Sequence, residues 1–414
     1  MRETKNYEVK ERISNTFLKT VSAFANYGTG DIKFGIKDNG EQVGIGDVEN
    51  ACLDIENKIN DSIKPSVDYT LSIDNKTNVI TLHVIEGIHK PYLYNGKAYK
   101  RNDSSTIEVD HLELTRLILE GKNLSFEELD AKVQNLKFDN LNKRLKEQLK
   151  LDDITKDTYI TLGLINKNGN YNNAGELLAD DNGFPGIEIV RFGSTINTIL
   201  DRVTLINESV LTQYDKANDL FEKYYQFEQI NGSKRESVYL IPKEAFREAI
   251  ANALVHRTWD LNANITVFMF EDRIEITSPG GLTSGLREED YLKGGISILR
   301  NPIVGGLFLR FDMMEKLGTG IRRINEEYRD YDKKPIFDIS DDAIRIMLPV
   351  YAVGGLSKDE NTVYQLLRNK SLASSSIIEL TGFGKTKTVE ILNKLVNAGY
   401  VKAIGNGRGK KYTS

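Results

Sequence analysis

The chain has 414 residues and a formal net charge of −5, with 40% hydrophobic and 28% charged residues. This composition excludes wholesale disorder, and at about 150 residues per domain it predicts roughly three domains. A charged N-terminal stretch and the lack of a membrane-length apolar run predict a cytoplasmic protein without membrane partners.

Metal chemistry is limited by the side chains that the sequence contains. Cys52 is the single cysteine and there are four histidines, which leaves little material for a zinc cluster. Any catalytic metal would therefore be held mainly by oxygen ligands, as Mg²⁺ and Mn²⁺ prefer.

The first part of the sequence predicts an α+β domain. An apolar face over 11–26 predicts a helix that Tyr27-Gly28-Thr29-Gly30 ends. Strands over 32–36 and 41–45 should pair as a hairpin around Asp38-Asn39-Gly40, because Asn-Gly supplies the positive φ angles of a tight turn. A helix over 47–62, strands over 68–73 and 79–85, and a tyrosine-bearing hairpin over 90–101 should follow.

The rest of the chain predicts further α/β segments and a basic end. A polar helical linker precedes an α/β middle segment with a long helix over 208–229. Residues 243–350 alternate helices, strands and a glycine-rich loop, and residues 355–414 predict three short helices and a hairpin. We predict these domain boundaries: 1–118, 119–155, 156–240, 241–352 and 355–414.

The predicted helix KEAFREAIANALVHR carries a polar row. Glu248, Asn252 and His256 are four residues apart, so they lie on one helix face. An Asn in the middle of a helix lowers helix stability, so its presence suggests that the side-chain amide has a function. A carboxylate one turn earlier could orient a water toward a metal-bound phosphate. The alternative is a solvated helix face with a capping histidine.

Two glycine loops follow this helix, Ser278-Pro279-Gly280-Gly281 and Gly318-Thr319-Gly320. Glycine lets backbone amides approach phosphates, and a following helix N-terminus favours anions. The ordered set over about 243–350 resembles the GHKL-type ATPase family of gyrase, histidine kinases and MutL. The resemblance implies an α/β sandwich that binds ATP, with Asn252 as the Mg²⁺ (or Mn²⁺) ligand and Glu248 as the catalytic base.

The same resemblance implies the other nucleotide-binding positions. It places Gly318, Thr319 and Gly320 in a lid over the phosphates, and it adds His256, Ser278, Gly280 and Gly281. Ser278 replaces the family's adenine-reading Asp and Leu282 replaces a spaced glycine. We therefore expect ATP binding rather than fast hydrolysis.

Acidic residues near the N-terminus suggest a second chemistry. Glu3, Glu8 and Asp38 with Lys10 are material for two-metal phosphodiester cleavage, in which the acids hold the ions and the lysine neutralises developing charge. The alternative is a solvated terminus and a turn aspartate.

The spacing Glu3-x4-Glu8-x-Lys10, followed by Ser22-Ala23-Phe24-Ala25-Asn26 and Gly35-Ile36-Lys37-Asp38, resembles the Schlafen AlbA-type domain to about residue 105. That family includes DNA-binding domains of bacterial regulators and metal-dependent ribonucleases. The resemblance implies Glu3, Glu8 and Asp38 as metal ligands with Lys10 as their partner.

The tyrosine hairpin offers basic side chains beside aromatic rings. Lys97, Lys100 and Arg101 suit contacts to a nucleic-acid backbone, while the tyrosines suit base stacking. The alternative is that the tyrosines pack a sheet and the lysines lie in solvent.

Residues 355–414 carry ten basic and four acidic residues, a formal charge of +6 on an otherwise acidic chain. Two predicted helices around Thr381-Gly382-Phe383-Gly384 have helix-turn-helix spacing, with Val389 and Leu392 inward. With the hairpin that follows, the segment resembles a winged helix, which binds DNA or only proteins. The predicted DNA-binding residues are Lys385, Thr386, Lys387, Arg408, Lys410 and Lys411, with Thr388 and Asn393 on the same side.

The order of these regions resembles a group of predicted bacterial transcriptional regulators. It implies a multidomain α+β and α/β fold and an ATP-responsive regulator that binds DNA, with RNA as another candidate, and forms a homo-oligomer. The alternatives are a Schlafen-like nuclease that cuts RNA or single-stranded DNA in phage defence, and a pure assembly module.

Overall fold

The structure, a computed structural model, divides into two units, Met1–Ser125 and Phe126–Ser414, and each is presented by itself. It describes residues 3–231, 234–283, 285–295, 298–314, 318–329, 331, 333–350, 356, 358–367, 370–405, 407 and 410–414. None of the described helices is both long and apolar enough to cross a membrane.

The first unit is built on a four-stranded sheet of mixed direction. The strands of the whole first unit, in chain order, are β1 (Tyr7–Lys10), β2 (Gly30–Phe34), β3 (Ile63–Lys64), β4 (Tyr69–Asp74), β5 (Val79–Val84), β6 (Leu93–Tyr94), β7 (Tyr99–Asn102) and β8 (Ser105–Glu108). Its helices are α1 (Phe17–Tyr27), α2 (Val48–Ser62) and α3 (His111–Gly121). The sheet order is β1-β2-β5-β4, with β1 parallel to β2 and the other pairs antiparallel.

Apolar faces of α1 and α2 pack with the sheet into one core, which confirms the predicted α+β character. A buried polar cluster joins α1 to the segment before β6. Ser22 Oγ and Asn26 Nδ2 donate to the carbonyl of Tyr92 at 2.7 and 2.9 Å, and the amide of Tyr92 donates to Asn26 Oδ1 at 2.8 Å. The polar residues of the Ser22–Asn26 stretch therefore have a structural role.

The two hairpins predicted in this unit are present only as short turns. Ile36 and Gln42 form an antiparallel bridge around the predicted turn, whereas strand β2 pairs with β1 and β5. In the tyrosine segment, Tyr94 and Lys97 form an antiparallel bridge, whereas β6 pairs with β3 and β7 pairs with β8. Helix α1 also begins at Phe17, six residues later than predicted.

The second unit contains a six-stranded sheet of order β10-β9-β13-β14-β16-β15. Its strands are β9 (Ile187–Phe192), β10 (Ile199–Leu205), β13 (Ile265–Met269), β14 (Arg273–Pro279), β15 (Ile336–Ile339) and β16 (Ala343–Pro349), and a separate hairpin comprises β11 (Gln226–Asn231) and β12 (Lys234–Tyr239). Its helices before the C-terminal segment are α4 (Asp139–Leu149), α5 (Lys156–Thr161), α6 (Asn173–Leu178), α7 (Val210–Tyr225), α8 (Lys243–His256), α9 (Glu288–Lys293), α10 (Pro302–Arg310) and α11 (Gly320–Glu327).

Strands from the predicted middle and ATPase-like segments share this sheet, because β9 runs parallel to β13. Helices α7, α8 and α10 contribute to one large core with the sheet. The long helix predicted over 208–229 ends at Tyr225, where the chain enters β11.

The C-terminal segment, residues 356–414, has its own small core. It comprises α12 (Lys358–Leu367), β17 (Leu372–Ala373), α13 (Ser374–Thr381), α14 (Lys385–Asn397), β18 (Lys402–Ile404) and β19 (Lys411–Thr413). The three strands form a sheet of order β17-β19-β18. The predicted helices and terminal hairpin are present, and the identity of the segment as a DNA-binding winged helix stays a prediction.

The buried face of α14 is rotated from the predicted one. Thr388 and Ile391 are buried, whereas Val389 is 37% exposed. Thr388 can lie inside because its hydroxyl donates to the carbonyl of Gly384 at 3.1 Å. Lys385 and Thr386 remain on the exposed side of the helix.

Candidate functional site

Helix α8 presents its polar row to a small cavity in the second unit. Glu248, Asn252 and His256 all line this cavity, as their four-residue spacing predicts. Glu248 is only 3% exposed, and Asn252 Nδ2 donates to its Oε1 at 3.3 Å. The buried carboxylate and the amide thus form a pair of oxygen-bearing groups at the cavity wall.

The second glycine loop lies directly on this pair. Gly318 and Gly320 line the cavity, and Thr319 is the N-cap residue of α11. A Cβ at Gly320 would lie 2.2 Å from Glu248 Oε1 and 2.9 Å from Asn252 Nδ2. Only glycine lets the start of α11 approach these side chains so closely. The structure therefore brings together the polar row and the loop that the sequence singled out.

The first glycine loop packs rather than opening toward a ligand. Ser278 is buried, and its hydroxyl donates to the carbonyl of Ala253 at 2.9 Å. The amides of Gly280 and Gly281 donate to the carbonyls of Asp342 and Asp341 at 2.7 and 3.1 Å. These two amides are therefore engaged within the fold, while Gly281 lines the cavity, and the nucleotide-binding role of the two glycines stays a prediction.

The cavity is also lined by an arginine that the sequence did not indicate. Arg300 Nε donates to the carbonyl of His256 at 3.0 Å, and its Nη2 donates to the carbonyl of Gly281 at 2.7 Å. Burial, and then the nearby Arg300 charge, lower the pKa of His256 to about 4. His256 is therefore neutral at pH 7, and the fixed positive charge here belongs to Arg300.

The cavity has a volume of about 60 Å³, enough for a few water molecules. Pockets that hold larger organic ligands measure about 300–1,000 Å³, so a nucleotide requires the rim to open. Glu248 and Asn252 supply the oxygen donors that Mg²⁺ prefers, and Mg²⁺ takes its remaining ligands from water and substrate phosphates. Glu248 and Asn252 therefore fit a Mg²⁺ ion that is bound together with a phosphate group.

The acids of the first unit do not form the predicted metal centre. Glu8 Oε2 accepts hydrogen bonds from Arg101 Nη1 and Thr20 Oγ1, both at 2.6 Å, and Glu8 Oε1 lies 2.7 Å from Lys10 Nζ. Glu3 Oε1 accepts from the amide of Val9 at 3.1 Å. Asp38 is exposed on the turn after β2. Within the described part of the chain, no three His, Cys, Asp or Glu side chains are placed to hold a metal.

Arg101 is a structural cation rather than an exposed one. It is 7% exposed, and its Nη1 pairs with Glu8. Lys97 pairs with Glu108 at 2.7 Å and Lys100 with Glu113 at 2.5 Å. The three predicted nucleic-acid-binding cations of this unit are thus all bound to carboxylates.

Among the described residues of the C-terminal segment, some cations have a carboxylate partner and others have none. Lys387 Nζ lies 2.7 Å from Asp359 and 4.4 Å from the centre of the Phe383 ring, so it joins α14 to α12. Lys385 and Lys411 are exposed, and Lys410 lies over the Tyr412 ring at 5.2 Å. Arg408 lies outside the described residues.

Two family models match parts of the chain. Residues 3–110 match the family described as "Schlafen, AlbA_2", and residues 262–348 match "Putative ATP-dependent DNA helicase recG C-terminal" (HATPase_c_4). No curated protein matches the chain. A solved structure, the DIP2311 protein from Corynebacterium diphtheriae, is 18% identical, with 99% of this chain and 92% of that chain covered and a TM-score of 0.49. The two family matches confirm the Schlafen AlbA-type and ATPase-like regions and indicate a nucleic-acid-related protein with an ATPase-like domain.

Proposed function

We propose that this chain is an ATP-responsive regulator of transcription, with ATP and Mg²⁺ at α8 and α11 and DNA at the C-terminal segment. The observation that carries the nucleotide part is the approach of Gly320 to Glu248 and Asn252. The first-turn amides of α11 and its helix dipole favour a phosphate next to these two oxygen donors.

The roles of the two side chains follow from their chemistry. Asn252 would ligate Mg²⁺, which neutralises phosphate charge when it is bound. Glu248 would accept a proton from a water, because its carboxylate is buried beside the same position. Arg300 would hold the end of α8 to the Gly281 loop through its two hydrogen bonds to backbone carbonyls.

Calorimetric titration with ATP and Mg²⁺, combined with a phosphate-release assay, tests these roles. Asn252→Ala should reduce ATP affinity at least tenfold, whereas Glu248→Gln should retain binding and abolish any release. Asn325→Ala, at an exposed position of α11, is the matched control and should bind like the wild type. Absence of ATP binding by the wild type would disprove the nucleotide part of the proposal.

The DNA part is supported by the charge and the element order of the C-terminal segment. A helix-turn-helix pair followed by a β-hairpin is the order of a winged helix, and the +6 charge from 355 to 414 favours a polyanion. Lys385, Lys410 and Lys411 have no carboxylate partner among the described residues, so they are the best candidates for phosphate contacts.

The salt dependence of duplex-DNA binding distinguishes these cations from the paired one. Replacing Lys385, Lys410 and Lys411 together by Ala should lower the slope of log K against log salt by about 2–3, at roughly 0.9 per phosphate contact. Lys387→Ala is the control and should change the slope little, because Asp359 already holds this lysine. An unchanged slope in the triple variant would show that DNA binds elsewhere. Repeating the DNA titration in the presence of ATP and Mg²⁺ tests whether ATP changes the affinity for DNA, as the proposal requires.

A further inference from the structure

A second cavity of the second unit lies where the six-stranded sheet meets the start of the C-terminal segment. Its volume is about 390 Å³, within the range of about 300–1,000 Å³ that is typical of small-molecule sites. No residue of the Glu248 cavity lines it. Its walls come from β9, the end of α7, the turn between β13 and β14, and residues Leu356 and Asn361.

Part of this wall is apolar and aromatic. Leu240, Val350 and Leu356 line it together with Phe270. Phe270 is fixed because the Phe192 ring stacks on it at 5.1 Å, with an angle of 17° between the ring planes, and the Arg273 guanidinium lies 4.0 Å from the centre of the same ring. With these two groups over the ring, Phe270 offers its edge to a ligand. Such a surface favours a planar hydrocarbon group over a sugar or a flexible polar chain.

Arg191 supplies a positive charge in the same wall. Its guanidinium lies 4.2 Å from the centre of the Tyr224 ring, and the Tyr224 hydroxyl donates to Asp201. Stacking uses the face of a guanidinium and leaves the N–H groups at its edge, which bind a carboxylate through two parallel hydrogen bonds. Among the residues that the structure describes, Arg191 makes no ion pair.

The other charges of the lining balance. Arg191 and the exposed Lys333 are matched by the acids Glu271 and Asp272. Arg273 lies 2.9 Å from Asp272, but it also donates to Glu275 at 2.6 Å. The preference for an anion therefore rests on the Arg191 guanidinium.

We propose that this cavity binds a small aromatic anion, with its carboxylate on Arg191 and its ring against Phe270 and the aliphatic side chains. The occupant would touch both the sheet and the first residues of the C-terminal segment. The site is separate from the nucleotide cavity, so it does not depend on ATP binding there.

Two probes of equal size and opposite charge test the proposal on the full chain. We expect 2-naphthoate to bind in calorimetric titration, and 2-naphthamidinium to bind at least tenfold more weakly. Arg191→Gln should weaken 2-naphthoate at least tenfold, because a charge-assisted bidentate contact is lost. Lys223→Gln is the matched control, since Lys223 lies over the same Tyr224 ring at 4.8 Å but does not line the cavity.

Three results would overturn the proposal. They are absence of 2-naphthoate binding at millimolar concentration, equal binding of the two probes, and equal 2-naphthoate binding by Arg191→Gln and the wild type. Asn252→Ala should retain 2-naphthoate binding, and its loss there would assign the probe to the other cavity. The comparison of probe charges uses the wild type alone, so it stands even if a variant fails to fold.

Discussion

The ion pair between Glu8 and Arg101 makes the sharpest prediction about the first unit. Both side chains are 4% exposed, and their atoms meet at 2.6 Å. Removing one partner of a buried pair leaves an uncompensated charge and costs about 3–5 kcal/mol. Glu8→Gln removes the charge while nearly preserving the shape, and Glu3 Oε2 remains 3.7 Å from Arg101 Nη2. It should therefore destabilise this unit toward the lower end of that range.

The assay must separate the two units, because unfolding of a chain with several units is not two-state. Hydrogen exchange of peptides from β1, β2 and β5 reports on the first unit. A loss of about 3–5 kcal/mol should accelerate exchange of its most protected amides more than 100-fold. Trp259, the only tryptophan, lies in the second unit, so its fluorescence unfolding curve should not change.

An exposed ion pair provides the matched control. Lys97 and Glu108 meet at 2.7 Å, but their side chains are 54% and 49% exposed. Water screens such a pair, so Lys97→Ala should leave exchange nearly unchanged. If Glu8→Gln exchanges like the wild type, or if Mn²⁺ protects the wild type but not this variant, then Glu8 is not a structural partner of Arg101.

Two further predictions concern the second unit. Gly320→Ala should weaken ATP binding at least tenfold in calorimetric titration, because its Cβ would displace the Glu248 carboxylate, whereas Gly306→Ala on α10 has open space around it and should bind normally. Glu127 accepts hydrogen bonds from the amides of Ile303 and Val304, and burial raises its pKa to about 7. Its folded pKa exceeds the unfolded one, so its contribution to stability is lost as pH rises from about 4.5 to 7, whereas the lowered pKa of His256 acts in the opposite direction up to about pH 6.5. In urea unfolding followed by Trp259 fluorescence, the stability of the wild type relative to Glu127→Gln should therefore fall over this pH range.

The lining of the Glu248 cavity could be predicted largely from the sequence because its main features are local. A spacing of four residues in a helix fixes a common face for Glu248, Asn252 and His256, whatever surrounds the helix. The sequence Gly318-Thr319-Gly320 is also a local signal, because two closely spaced glycines at the start of a helix can be recognised without knowing the fold. The role of Arg300 could not be predicted from the sequence. Its hydrogen bonds go to backbone carbonyls that are 19 and 44 residues away, and such contacts produce no local sequence pattern.

The errors in the first unit arise from long-range pairing. Asn39-Gly40 correctly indicated a turn, but a turn does not determine which strand pairs with β2, and β1 and β5 lie on its two sides. Likewise, Glu8 and Arg101 are 93 residues apart, so neither revealed the other. A carboxylate in a metal-site spacing and one in a buried ion pair look the same in sequence, because both positions require an acid.

Helix α11 connects the Glu248 cavity to the end of β16, the last strand before the C-terminal segment. It begins at Gly320 against Glu248, and at its other end the Tyr328 hydroxyl donates to the carbonyl of Pro349 at 2.8 Å. Pro349 ends β16, directly before Val350 in the wall of the second cavity. A cavity of about 60 Å³ cannot admit ATP until its rim opens. If that opening moves α11, the hydrogen bond from Tyr328 transmits the movement to the end of β16. The DNA response to ATP under the proposed function would then depend on the Tyr328 hydroxyl, which touches neither ligand.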